Sequence, residues 1–473
     1  MYKYLVKVFM LIVIACAITI NWTVSSVSAY EFSKMPNVDN EMLNANYWIK
    51  LLPNPDKIIM SGDEIDNFNQ ETIRDVPGSV VLDLKTYPES LSDIQLRLLV
   101  DQPFPDEPSY MENQLVPPGF WTELRKQINL DSIEEKNQVE YGFTVRRSNL
   151  KVFPTANIIG DEPGDPGFDL FQNSAVLAAE PLLVLHHSMD GQWYYVQINN
   201  CSGWVPAVDV AISDRAAWLE YQNEKNFLVI TANHLKLDVD PLDPDISQLE
   251  FSMGCKLPLA SATDSSSILD MRVVYGNYLI KVPTRNAVGR IEFKIAALPI
   301  SNDVVEGYLP YTRANIIRQS FKMQGDRYGW GGMLNGRDCS SLIMELYRCF
   351  GFQLARNSDA QEISTGKTIS FKNYNRAERE TLLNQIMPGA VLFFPGHEML
   401  YLGEDGGRYY VISALGSYAR YKTGTSKIET VRVRSVVIND LSIIRGNGNQ
   451  WLDQLTTAKQ LETTSILNRS HRD

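Results

Sequence analysis

The chain has 473 residues, 21% of them charged and 44% hydrophobic, which is ordinary globular composition for two to four domains and excludes a disordered or fibrous protein. A formal net charge of −12 makes a broad surface for nucleic acid or another polyanion an unexpected feature. The widely spaced cysteines form neither a zinc pattern nor a dense disulfide framework, so no metal, no cofactor and at most one bridge are expected.

Lys3 and Lys7 precede an apolar run from Val8 to Ile20, and Val27-Ser28-Ala29 fits a signal-peptidase site. Residues 1–29 therefore read as a signal peptide, which implies an exported protein, periplasmic or associated with the cell wall, beginning at Tyr30. The run is short for a transmembrane helix and no later segment reaches ~20 apolar residues, so the mature chain is expected to have no stable membrane span. Val13-Ile14-Ala15-Cys16 also fits a lipobox. A lipoprotein anchored at Cys16 ranks second, because cleavage there would leave Ala17 to Ile20 apolar beyond the anchor.

Residues 30–140 carry no chemical motif. Helices are expected over Asn40–Leu52, ended by Pro53, and over Leu91–Leu99, with the proline-rich Pro103–Pro118 crossing a surface. From 141 to 215 the periodicity is that of short strands. Leu182–Leu185 runs into His186-His187, Asp190-Gly191 supplies a tight turn, and Trp193–Ile198 returns toward Gly203-Trp204-Val205, which predicts a small barrel. Adjacent strand residues point to opposite faces, so His186 and His187 are read as a polar strand end and not as one metal site. Residues 216–305 predict a second small barrel from Phe227–Thr231, Met271–Tyr275, Tyr278–Val282 and Ile291–Ala297, with Gly276-Asn277 as the central turn.

A helix over Thr312–Met323 leads into Tyr328-Gly329-Trp330-Gly331-Gly332, where three glycines in five residues demand a turn. Leu342, Ile343, Leu346, Tyr347 and Phe350 then recur at helical spacing, with Asp338 or Ser340 able to cap the start and Gly351 to end it. Cys339 thus falls in the first helical turn, where free backbone N–H groups and the helix dipole favour a thiolate, whereas Cys349 belongs to the apolar stripe. Downstream, Pro388 to Phe394 reads as a strand and His397 opens another, Glu398 to Leu402; a Cys at a helix start with a His on a later strand is a papain-like arrangement. Gly366-Lys367-Thr368 is only half of a phosphate loop, since Gln361 stands where such a loop needs glycine. Trp451–Leu461 is expected to be a short helix before a polar tail containing His471.

The ordered set Tyr328-Gly329-Trp330-Gly331-Gly332, Asp338-Cys339-Ser340 and Gly396-His397 with Met399 to Gly403 resembles the NlpC/P60 family of cell-wall cysteine peptidases over about 306–450. Asp190-Gly191-x-Trp193-x-x-Val196 with Gly203-Trp204-Val205 resembles the bacterial SH3 (SH3b) family, and Arg146 to Thr155 looks like its first strand and loop. The resemblances imply an α+β chain: signal peptide 1–29, an N-terminal stabilising segment 30–140, SH3b-like barrels 141–215 and 216–305, and a papain-like catalytic domain with its tail over 306–473. They further imply a monomeric peptidase acting on peptidoglycan or murein peptides at the γ-D-glutamyl-diamino acid bond. Cys339 would be the nucleophile and His397 the base, while Tyr328, Trp330, Asp338, Ser340, Ser358 and Asp359 would contact the stem peptide. The family's third catalytic position, commonly His, falls on Ser413, whose hydroxyl is short and would reach His397 only through a water. A murein-binding adaptor without activity, and an amidase or acyltransferase on another amide, stay open as alternatives.

Overall fold

The computed structural model describes residues 34–463 except 77, 79, 262–267, 270 and 302. The signal peptide, the lipobox at Cys16, the Tyr30 start and the polar tail with His471 lie outside the described residues. Among the described residues no helix is long and apolar enough to cross a membrane.

The C-terminal unit is built on a six-stranded antiparallel sheet in the order Lys367–Ser370, Thr457–Gln460, Val391–Phe394, His397–Asp405, Arg408–Tyr421 and Ile428–Asp440. Helices Arg313–Lys322 and Cys339–Arg348 share one core with it, in which Ile316, Ile317, Leu342, Ile343 and Leu346 meet Leu400, Val411 and Ile412. Each such side chain contributes about 1.5–3 kcal/mol by leaving water. Thr312 caps the first helix by accepting from the Asn315 N–H at 3.2 Å, and Asp338 caps the second by accepting from the Ser341 N–H at 2.9 Å.

The helix expected over Trp451–Leu461 stops at Gln454, and Thr457–Gln460 is a strand inserted between Lys367–Ser370 and Val391–Phe394. Without it the edge of Val391–Phe394 would hold unpaired backbone groups inside a core, a larger penalty than any local helical preference can offset.

The first barrel region forms a seven-stranded sheet in the order Val210–Ser213, Glu140–Thr144, Pro181–His187, Trp193–Ile198, Cys201–Pro206, Ser148–Lys151 and Gln172–Val176. His186 is buried with Nε2 against the Ile128 carbonyl at 3.0 Å, while His187 is exposed and meets Glu140 at 2.9 Å, so the two rings do separate to opposite faces. Residues 216–305 hold a hairpin, Asn277–Arg285 with Ile291–Pro299, and a three-stranded sheet whose centre is Phe227–Ile230, packed around Leu228, Leu257, Ile280 and Leu298. The strand expected over Met271–Tyr275 shrinks to Arg272–Val273, because Met271 takes a left-handed φ of 57°.

The segment before 140 is divided between two cores. Trp48, Ile49 and Phe68 join the core of the C-terminal unit, and strand Ile58–Met60 pairs with Tyr311–Thr312. Leu84, Leu96, Leu124 and Ile128 instead pack on the first sheet with Phe143 and Trp204. Two helices there, Gly62–Asp75 and Pro118–Gln127, were not foreseen, and Asn40–Leu52 breaks into a short turn and helix Ala45–Lys50, restarted by the Asn44 cap.

Candidate active site

The glycine turn fixes the site by its closeness to the first sheet. Gly331 and Gly332 have φ of 55° and 78°, and a Cβ on them would lie 2.6 Å from the Gln172 side chain and 2.7 Å from Ala175. Only glycine fits this backbone at this spacing. The Gln172 amide donates to the Gly331 carbonyl at 2.9 Å, and Phe168, in the loop ahead of Gln172, faces Tyr328 and Trp330.

Beyond the turn, Asp338 anchors the start of helix Cys339–Arg348. Its carboxylate accepts from the Gly331 N–H at 3.0 Å and from Arg356 at 2.6 and 3.2 Å, and the Arg356 Nε donates to Ser174 of the first sheet at 2.7 Å. Burial pushes the Asp338 carboxyl upward, but the Arg356 guanidinium and the Ser341 bonds hold it below the usual carboxylate range. The Ser340 hydroxyl lies between Arg356 and Asp338, at 2.8 and 3.3 Å. Asp338 and Ser340 are both buried and engaged within the frame, and both also line the cleft.

Cys339, partly exposed, begins the helix and reaches a cleft of about 780 Å³. His397, Tyr328, Trp330, Ser358 and Asp359 line the same cleft, so the fold unites these distant residues. Burial, then Asp338 and Glu398, push the Cys339 thiol up. The His397 ring stands 5.3 Å from Phe394 and 5.2 Å from Trp451, centroid to centroid. Burial, and secondarily Arg445, lower its pKa to about 3, so the ring is neutral across the physiological range. Among the described residues no hydrogen bond joins Cys339 and His397, and His397 Nε2 has no partner.

Ser413 does not line the cleft. Its hydroxyl is buried and makes no hydrogen bond, to His397 or otherwise, among the described residues. Sequence reasoning missed Phe168, Trp451 and Arg445, which reach the cleft from a loop, a short helix and the segment after the last long strand. It also missed Glu398, fully buried near Cys339 with neither carboxylate oxygen hydrogen-bonded among the described residues. Burial, then Asp338, raise its carboxyl well above the usual range.

Residues 325–432 match the NlpC/P60 family and residues 161–206 match an SH3 domain of the SH3b1 type. The NlpC/P60 match supports a cysteine peptidase of the cell wall. The fold is shared with a structure described as a novel NlpC/P60 endopeptidase from Photobacterium damselae subsp. piscicida, at 18% identity and a TM-score of 0.69, over 88% of this chain and 97% of that one. An NlpC/P60 family protein from Bacillus cereus is similar at 17% identity with a TM-score of 0.45, over 68% of this chain and 99% of that one. No curated protein sequence matches the chain.

Proposed function

We propose that the protein hydrolyses peptidoglycan stem peptides at the γ-D-glutamyl-diamino acid bond, with Cys339 as nucleophile and His397 as base. The observation that carries this reading is the shared cleft, in which a cysteine at a helix start and a neutral histidine at a strand start face one space. His397 takes the Cys339 proton as sulfur attacks the carbonyl, and the Cys339 N–H, at the first helical position, stabilises the oxyanion. Collapse of the tetrahedral species breaks the C–N bond, and His397 returns the proton to the leaving amine. Water, deprotonated by His397, then hydrolyses the thioester. The two side chains are not bonded at rest, and substrate would draw them together, as is common where a free enzyme holds its catalytic pair apart.

The cleft walls favour small substrates of this class. Phe168 and Gln172 narrow it beside Tyr328 and Trp330, and the Asp359 carboxylate on its wall suits a free amino terminus. An exported location, in the periplasm or at the wall, follows from the same reading. Incubating the protein with a murein tripeptide should release free diaminopimelate, and Cys339→Ala should abolish release while keeping the fold. Unchanged turnover in that variant would remove the mechanism, and binding without cleavage by the native protein would favour the adaptor.

A further inference from the structure

The acidic and basic side chains lining the cleft are Asp338, Arg356, Asp359, His397 and Arg445. Asp338 and Arg356 cancel each other as a buried ion pair, and His397 is neutral. Asp359 and Arg445 are left, and neither makes a salt bridge among the described residues. The cleft is therefore polarised, with an acceptor of cations on the wall after the nucleophile helix and an acceptor of anions on the His397 side.

Arg445 is held in place without being neutralised. Its guanidinium carbon lies 4.8 Å from the centroid of the Phe394 ring, and Nη1 donates to the Pro395 carbonyl at 3.2 Å. Phe394 also packs against His397 and Trp451, so the cation is fixed one ring away from the base. Nε and Nη2 have no hydrogen-bond partner among the described residues, which leaves donors in the planar fork that binds carboxylates.

Given the proposed peptidase reading, on which this step rests, the chemistry assigns the anion. His397 must protonate the leaving nitrogen, so groups beside His397 face the residue that departs. The carbon carrying that nitrogen also carries a carboxyl group, which is ionised only where the peptide ends. We propose that Arg445 is a specificity-determining residue that binds the free α-carboxylate of the departing diamino acid, making the enzyme a trimmer of stem tripeptides that releases one terminal amino acid.

The test compares L-Ala-γ-D-Glu-meso-diaminopimelate with the same peptide whose α-carboxyl on the departing residue is amidated. The native enzyme should show kcat/KM about tenfold higher for the free acid, mainly through KM, a difference of about 1.4 kcal/mol. In Arg445→Gln the ratio should fall to within about twofold of one, and Arg445→Glu should invert it. A folding defect would lower both rates together and leave the ratio alone. An equal preference in native enzyme and Arg445→Gln would overturn the assignment, as would equal native rates on the two peptides. If the native enzyme cleaved neither, the peptidase reading would fall, and this assignment with it.

Discussion

The Phe168 ring stands 5.3 Å from the Trp330 ring, centroid to centroid, so a loop of the SH3-containing unit forms one wall of the cleft that holds Cys339. This contact joins the two matched regions at the chemistry itself, and Gln172 reinforces it through the Gly331 carbonyl.

Trimming Phe168 should open that wall. Phe168→Ala is expected to raise hydrolysis of intact sacculi relative to free tripeptide by about fivefold or more, a shift of about 1 kcal/mol in relative barriers. Diaminopimelate release from both substrates measures it. A ratio unchanged from the native enzyme would show that Phe168 does not limit access.

The Asp338–Arg356 pair should be costly to break from one side. Asp338→Asn leaves a buried guanidinium without its counter-charge, and about 3–5 kcal/mol of stability should be lost. Urea unfolding gives the value. Adding Arg356→Met should restore part of it, and a double variant no more stable than the single one would show that the loss comes from the missing helix cap instead.

The nucleophile helix and the region around His397 were legible because periodicity and glycine punctuation act locally. Cys339, Tyr328 and Trp330 could be placed in one cleft from those signals and the family resemblance. What escaped depends on tertiary contacts: Phe168 and Trp451 look like ordinary core aromatics until the chain is folded. The thiol's raised pKa escaped for another reason, since burial beside Asp338 and Glu398 is a tertiary effect that a position at a helix start does not disclose. The strand Thr457–Gln460 exists because a sheet edge needed covering, which no four-residue pattern encodes.

Ser413 offers little to His397 in this geometry. Its unpartnered hydroxyl can be removed at small expense, so Ser413→Ala should keep turnover within about tenfold of native, or ~1.4 kcal/mol. In Ser413→His an imidazole must fit a site that is 1% exposed, and overpacking should destabilise the protein by about 1–3 kcal/mol. Thermal melts beside tripeptide kinetics test both. A several-hundredfold loss in Ser413→Ala would show that serine does orient the base.

Glu398 should impose a pH dependence on stability. The carboxyl is raised in the folded protein from an ordinary value of 4.5, by burial first and Asp338 next, with Glu362 and Asp359 adding to it and Arg356 opposing. Above that ordinary value the unfolded chain has released its proton while the folded chain keeps it. The folded state then binds more protons, and stability falls as pH rises until the folded group itself titrates. The slope from this one residue is at most about 1.4 kcal/mol per pH unit. Glu398→Gln fills nearly the same volume and cannot titrate, so its stability relative to native should start near a constant at pH about 4 and climb as pH increases. Urea midpoints for the two proteins at several pH values between about 4 and 8 give the difference directly. A difference that stays flat across that range would mean that Glu398 is ionised in the folded protein and that its charge is met by a group it does not touch in this structure.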